Sequence, residues 1–265
     1  MSEEKKLLKE QEKKEKEEIK DIIKEKKEQL KEEERNRPLT PKEERIRELN
    51  KPPVRSTLEE IGNSITHGLG ALFAIFALII LSIKSTSTLM LTASLVYGLS
   101  MFVMMLMSCL YHAWRTGSTV KRLWRRFDYS SIYLLIGGTF APLQLIELGQ
   151  NQNHPILALV WFGIMWIGII VGITMTCIFG PGRIKWLNYP MYFVLGWSGI
   201  MFIPGWIQYE RWNLIWWILG GGIAYTLGMI PFAIKKIHST HFIWHIFVLI
   251  GVVTHFVGIY LTLFV

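Results

Sequence analysis

The sequence predicts an all-α integral membrane protein, a seven-transmembrane helix bundle with its N-terminus in the cytoplasm, preceded by a charged helical or disordered tail. Three observations predict it. Hydrophobic residues fill 51% of the 265 positions and eleven residues are Trp, too apolar for a soluble domain of this length. After the first 60 residues the chain becomes a succession of apolar segments, each close to the roughly 20 residues that cross a bilayer core as a helix. Charge is also partitioned. Residues 1–60 hold 18 Lys/Arg and 18 Asp/Glu, whereas the remaining 205 hold 11 basic residues and only three acids, Asp128, Glu147 and Glu210. All of the net +8 therefore belongs to the apolar body. Its basic residues fall in short loops and form no continuous stripe, which excludes a nucleic-acid partner. Cys109 and Cys177, both inside apolar runs, make no disulfide framework. No apolar core follows the early lysines as in a signal peptide, so the first apolar helix is expected to act as its own insertion signal.

The elements follow in order. Residues 3–37 are rich in Glu and Lys at spacings of three and four, which support an isolated helix by about 0.2–0.5 kcal/mol per pair. Leu7, Leu8, Ile19, Ile22, Ile23 and Leu30 are too sparse for a sustained heptad seam, so the segment reads as a solvated helical or disordered tail, or as a docking site for a cytosolic partner. Pro38, Pro41, Pro52 and Pro53 then break the pattern into a linker. Residues 1–57 are thus tail and linker, and 58–265 the membrane domain. Its spans are expected at 64–83, 88–112, 129–147, 155–179, 187–207, 212–233 and 241–263. Pro142, Pro190, Pro204 and Pro231 lie within or near the ends of spans and should kink them. Gly220, Ala224 and Gly228 form a row of small residues that predicts close packing of the sixth span on a neighbour.

Loop charge sets the orientation. The tail shares one side with loop 113–127 (Arg115, Lys121, Arg122, Arg125, Arg126), loop 180–186 (Arg183, Lys185) and loop 234–240 (Lys235, Lys236); the other side offers only Lys84 and Arg211. The excess of Lys/Arg in the first set places it in the cytoplasm and the C-terminus outside.

That topology brings polar residues of three spans to one depth. His112, in SCLYHAW, ends the second span, with Ser108 one turn deeper on the same face. Asp128, in RRFDYSS, opens the third. His241 and His245, in HFIWHIFVLIG, open the seventh at a spacing that puts both on one helical face. Two imidazoles so spaced can bind one metal, and a third completes the tri-imidazole set of a catalytic zinc with one position left for water. Asp128 would then hydrogen-bond that water as a general base, or fix a histidine tautomer, and Ser108 would assist or line the substrate path. Each residue also has a structural reading: interfacial histidines at 241 and 245, a boundary residue at 112, an N-cap for the third helix at 128. On the first span Glu60, Asn63 and His67 share a face; Asn63 can cap the helix, and His67 can hydrogen-bond a neighbouring helix or contact substrate. His255, about 15 Å deeper than His245, is too remote to be a fourth ligand and reads as an interhelical hydrogen bonder. His154 and His238 are loop residues, and Cys109 is small packing.

The motifs ITHGLG, SCLYHAW, RRFDYSSIYLLIGGTFAPL and HFIWHIFVLIG, in this order across seven spans, resemble the hemolysin III branch of the progestin and adiponectin receptor (PAQR) family, over about residues 58–265. The resemblance implies a bacterial plasma-membrane protein in which His112, His241 and His245 bind zinc near the cytoplasmic side, with Asp128 close to the metal-bound water and Ser108 beside the site. It further implies a relationship to alkaline ceramidases and hence hydrolysis of a lipid amide or ester, while the branch name implies cytolysis. The long charged tail departs from the short N-termini of the bacterial relatives. Three functions follow as alternatives: a zinc-dependent intramembrane hydrolase, a membrane-permeabilising protein, and a receptor or sensor with structural zinc. Membrane lipids are the expected partners of all three.

Overall fold

The computed structural model describes residues 3–233 and 239–265, which are helical with short connections and contain no strand. The loop residues Lys235, Lys236 and His238 lie outside the described residues. The chain divides into two compact units, residues 1–48 and 49–265.

The first unit begins with α1 (Glu3–Asn36). Ile19, Ile22, Ile23 and Leu30 are each at least half exposed on it. The helix therefore has no apolar core in this part and leans on its charge pairs. The proline segment after it is not an open linker throughout, because α2 (Pro41–Leu49) forms inside it. Pro41 takes the first helical position, where a missing N–H costs nothing. Thr40 and Glu43 cap the helix reciprocally: the Thr40 N–H donates to Glu43 Oε2 at 2.8 Å, and the Glu43 N–H donates to Thr40 Oγ1 at 3.3 Å. Arg37 adds two hydrogen bonds to the same carboxylate.

The second unit holds seven helical stretches long and apolar enough to cross a membrane. These are α3 (Thr57–Lys84), α4 (Thr88–Ala113), α5 (Thr119–Pro142) continued by a π-helical segment to Asn151, and α6 (Pro155–Phe179). A broken fifth span follows, made of α7 (Lys185–Trp197), a 3₁₀ turn (Ser198–Phe202) and α8 (Ile203–Gln208); then come α9 (Trp212–Ala233) and α10 (Thr240–Ile259) with a π-helical end. Irregularity sits at two of the four expected prolines. Pro142 is the last α-helical residue before the π segment, and Pro204 lies in the first turn of α8. Helix α10 packs on both α3 and α9, which closes the bundle.

Small residues bring the helices together, as lipid requires when burial of apolar surface supplies no driving force. A Cβ on Gly138 of α5 would stand 2.4 Å from the Ser100 side chain of α4, and one on Gly228 of α9 would stand 2.6 Å from Phe247 of α10. The small-residue row of the sixth span thus faces the seventh.

The third span begins earlier than hydropathy indicates. Ser118, not Asp128, is the N-cap of α5, accepting from the Lys121 N–H at 3.1 Å. Lys121, Arg122, Arg125 and Arg126 are therefore helical rather than loop residues, and Asp128 lies more than two turns inside. The reason is that buried charges here are paired: Lys121 and Arg125 are both buried, Arg125 donating to the Lys51 carbonyl at 3.0 Å. Asn63 likewise does not cap α3; Ser56 does, accepting from the Glu59 N–H at 3.2 Å.

Candidate metal centre

Three helix ends meet at the end of the bundle where α3 and α10 begin and α4 finishes. His112 stands in the last turn of α4, and His241 and His245 occupy successive turns of α10. All three imidazoles are buried, and one ring nitrogen from each lies within 4.8 Å of the other two. His241 Nε2 is 3.2 Å from His112 Nε2 and 3.2 Å from His245 Nε2. The Nδ1 atom of His112 is 2.6 Å from Glu60 Oε2, which fixes it as the N–H donor and leaves Nε2 as a bare lone pair. A ring nitrogen offers a proton or a lone pair, not both. One proton on His241 would have to be shared between two acceptors, whereas a single cation serves all three lone pairs. The cluster can hold a metal ion.

The second layer comes from α3 and α5. Glu60 accepts from His112 and pairs at 3.0 Å with Lys121 Nζ, a side chain with no exposure to solvent. Lys121 also donates to the carbonyls of Tyr111, at 3.1 Å, and Trp114, at 3.0 Å. It caps the C-terminus of the helix that carries His112 with a positive charge, where the helix dipole favours one. Asn63 reaches within 3.4 Å of His112 Nδ1. His67 stacks on the His245 ring, with centroids 3.8 Å apart. It meets the neighbouring helix α10 at His245, through the stacked ring and the His245 backbone, and so walls the site.

Asp128 and Ser108 are both buried here, and Ser108 hydrogen-bonds the Asp128 carboxylate. Asp128 lies within electrostatic reach of His112 but outside the ligand group itself. The structure therefore gathers every predicted site residue, with Glu60 rather than Asp128 holding the His112 tautomer. His255 donates through Nε2–H to the Ile218 carbonyl at 3.0 Å, an interhelical bond far from the cluster. Cys109 faces Ser64 of α3 and takes no part. The unexpected member is Lys121. Its signal was spacing: Lys121, Arg125 and Asp128 fall at i, i+4 and i+7, one face of a helix.

An apolar cavity of about 130 Å³ lies farther along the spans, lined by none of the three histidines but by neighbours of His245 on α10. Trp244 and Val248, which flank His245 along α10, line one end, and His255 and Tyr225 line the other. From residue 244 to 255 a helix rises roughly 16 Å, so the cavity is elongated along α10.

The comparisons with known proteins agree with this architecture. The family described as "Haemolysin-III related" matches residues 55–256. "Hemolysin-3" of Bacillus cereus is 37% identical over 196 residues, covering 73% of this chain and 86% of the relative. "Hemolysin-3 homolog" of Bacillus subtilis (strain 168) is 34% identical over 197 residues, covering 73% and 89%. A more distant relative, "Monocyte to macrophage differentiation factor" of Homo sapiens, is 25% identical over 171 residues, covering 62% and 68%. With most of its length matched and all seven spans in place, the chain belongs to the haemolysin III family of membrane proteins.

Proposed function

We propose that this protein is a zinc-dependent hydrolase of the bacterial plasma membrane, cutting a lipid amide or ester near the cytoplasmic surface, with the charged tail in the cytoplasm and the C-terminus outside. The observation that carries the reading is the convergence of three buried imidazole nitrogens, one helical turn along α10 from an apolar cavity lined by Trp244 and Val248. Two nitrogens on a tetrahedral zinc, with bonds of about 2.0–2.1 Å, stand roughly 3.3–3.4 Å apart. The two 3.2 Å separations about His241 fit that spacing, and neutral imidazole suits a borderline-soft ion. When bound, zinc would polarise the scissile carbonyl and lower the pKa of a bound water.

The remaining roles fall to the chain. His112, His241 and His245 hold the ion, Glu60 keeps the His112 proton on Nδ1, and Lys121 balances the Glu60 charge. Asp128, oriented by Ser108, accepts a proton from the attacking water and returns it to the leaving group. The apolar cavity receives the acyl tail and excludes water from it.

The test is metal content on detergent-purified protein without chelators, for the wild type, His245→Ala and Asp128→Asn. About one zinc per chain is expected in the wild type and Asp128→Asn, and little in His245→Ala, as three ligands and an open position require. In a lipid-substrate screen Asp128→Asn should lose turnover by at least about a hundredfold. Wild-type protein without metal would remove the mechanism.

The printed name of the Bacillus relatives suggests lysis instead. A conducting path needs a polar stripe through the spans. Here the buried interior is filled by large side chains such as Tyr97, Met101, Met105 and Leu81. Ion leak from liposomes that survives loss of all three histidines would favour the lytic reading.

A further inference from the structure

A second cavity flanks the metal centre on the side away from the apolar one. It is a crevice of about 500 Å³ between the start of α3 and the end of α4. One wall is drawn from residues 55–65 and the other from residues 112–116, so His112 is shared between the crevice and the metal cluster. Arg55 stands on the first wall and Arg115 on the second. The Arg55 side chain is 11% exposed, its Nη1 is buried without a hydrogen-bond partner, and its Nε is 3.8 Å from Glu59, beyond hydrogen-bond range. A buried guanidinium nitrogen left unmade is costly, and its planar fork of donors matches a carboxylate or phosphate. Glu60 also faces the crevice; its Oε2 is engaged by Lys121 and by the His112 N–H, and its Oε1 is buried without a partner. Of the charged side chains that line it, Arg55 and Arg115 stand against Glu60, which leaves the crevice net cationic. The shared His112 places an anion held there next to the metal cluster.

We infer that this crevice receives the anionic group, phosphate or carboxylate, of an acyl amphiphile whose tail occupies the apolar cavity, the metal centre lying between head and tail. The inference rests on the hydrolase reading for the bond to be cut, and on the crevice alone for the charge. It narrows the substrate from any lipid amide or ester to an acidic one.

The test uses the full chain in phosphatidylcholine nanodiscs and direct binding of radiolabelled N-dodecanoylglycine, an anion, against its uncharged amide. The acid should bind about tenfold more tightly than the amide, the worth of one charge-assisted hydrogen bond. Arg55→Gln should reduce that preference to about threefold or less, Arg55→Lys should retain part of it, and Lys185→Gln, an exposed cation elsewhere, should leave it unchanged. Zinc content equal to wild type in Arg55→Gln would confirm an intact fold. Competition by inorganic phosphate would support the site as one for free anions as well; its absence, with the acid still preferred, would assign it to a lipid-borne anion. Equal binding of acid and amide, or a preference indifferent to Arg55→Gln, would overturn the inference. Charge preference without zinc would sink the hydrolase reading alone, and zinc without charge preference would sink this one alone.

Discussion

At the scale of single residues, the candidate centre shows how a charged side chain can be read as surface when it is buried. His112, His241, His245, Asp128 and Ser108 were legible because their spacings repeat a helical turn within or next to apolar spans. Lys121 was not, because hydropathy ends a span where charges begin, and a lysine four residues before an arginine looks like loop. Its partners explain the difference: Glu60 and two helix-terminal carbonyls replace the water that a buried ammonium loses. The role of Glu60 was likewise only half visible, since the helical face it shares with Asn63 and His67 could be read but not the imidazole it would meet. The 2.6 Å contact to His112 gives a direct expectation. Glu60→Gln should weaken zinc binding by about 10- to 100-fold, the usual effect of losing a carboxylate that orients a ligand histidine. Competition with a chelator of known affinity measures it, and unchanged affinity would mean the carboxylate does not orient the ligand.

At the scale of elements, the helix inventory was readable and the boundaries were not. Seven spans follow from apolar length, but the start of α5 is set by Ser118 and by paired charges that hydropathy counts against it. At the other end of that span Glu147, without exposure, accepts from Arg211 Nη2 at 2.7 Å and from its Nε at 3.0 Å; the Arg211 side chain is 30% exposed and also donates to the Thr262 carbonyl. The two halves of this pair are unequal. Arg211→Gln leaves a fully buried carboxylate with only the Asn151 and Gln152 amides as partners and should cost about 3 kcal/mol, whereas Glu147→Gln leaves an arginine that water can reach and should cost less. Thermal unfolding of both variants in one detergent tests the order. The short helix α2 gives a pH dependence. Hydrogen bonds from Arg37, then from the Thr40 backbone and hydroxyl, hold the Glu43 carboxyl down to about 2 from an ordinary 4.5. A depressed carboxyl stabilises the folded form above its unfolded value, so α2 should keep its cap above about pH 4.5 and lose it as the pH falls toward 2. Protection factors for amides in residues 41–49 should drop over that window, and Glu43→Gln should abolish the dependence.

At the scale of the whole molecule, the segment before the first span is stitched to the far side of the bundle. The Asn50 amide donates to the Phe179 carbonyl at 3.0 Å and accepts from the Gly182 N–H at 3.0 Å, clasping the turn between α6 and α7. The fit leaves no slack, since any side chain at Gly182 would run into the Leu49 carbonyl. Asn50→Ala removes both bonds, leaves two backbone groups unpaired, and should destabilise the unit by about 1–3 kcal/mol, read as a lower melting temperature and faster proteolysis after residue 48. Nothing in the local sequence announced this clasp, because its partners are 129 and 132 positions away. The same separation carries a consequence for biosynthesis. At about 5–20 residues per second, the ribosome needs roughly 6–26 s after making Asn50 to reach its partners. During that interval the first three spans enter the bilayer with their leading segment held by Arg125 at Lys51 but not yet by the Asn50 clasp. The clasp closes only once the fourth has threaded and turned back, so it works as a latch that reports correct insertion of the first half of the chain.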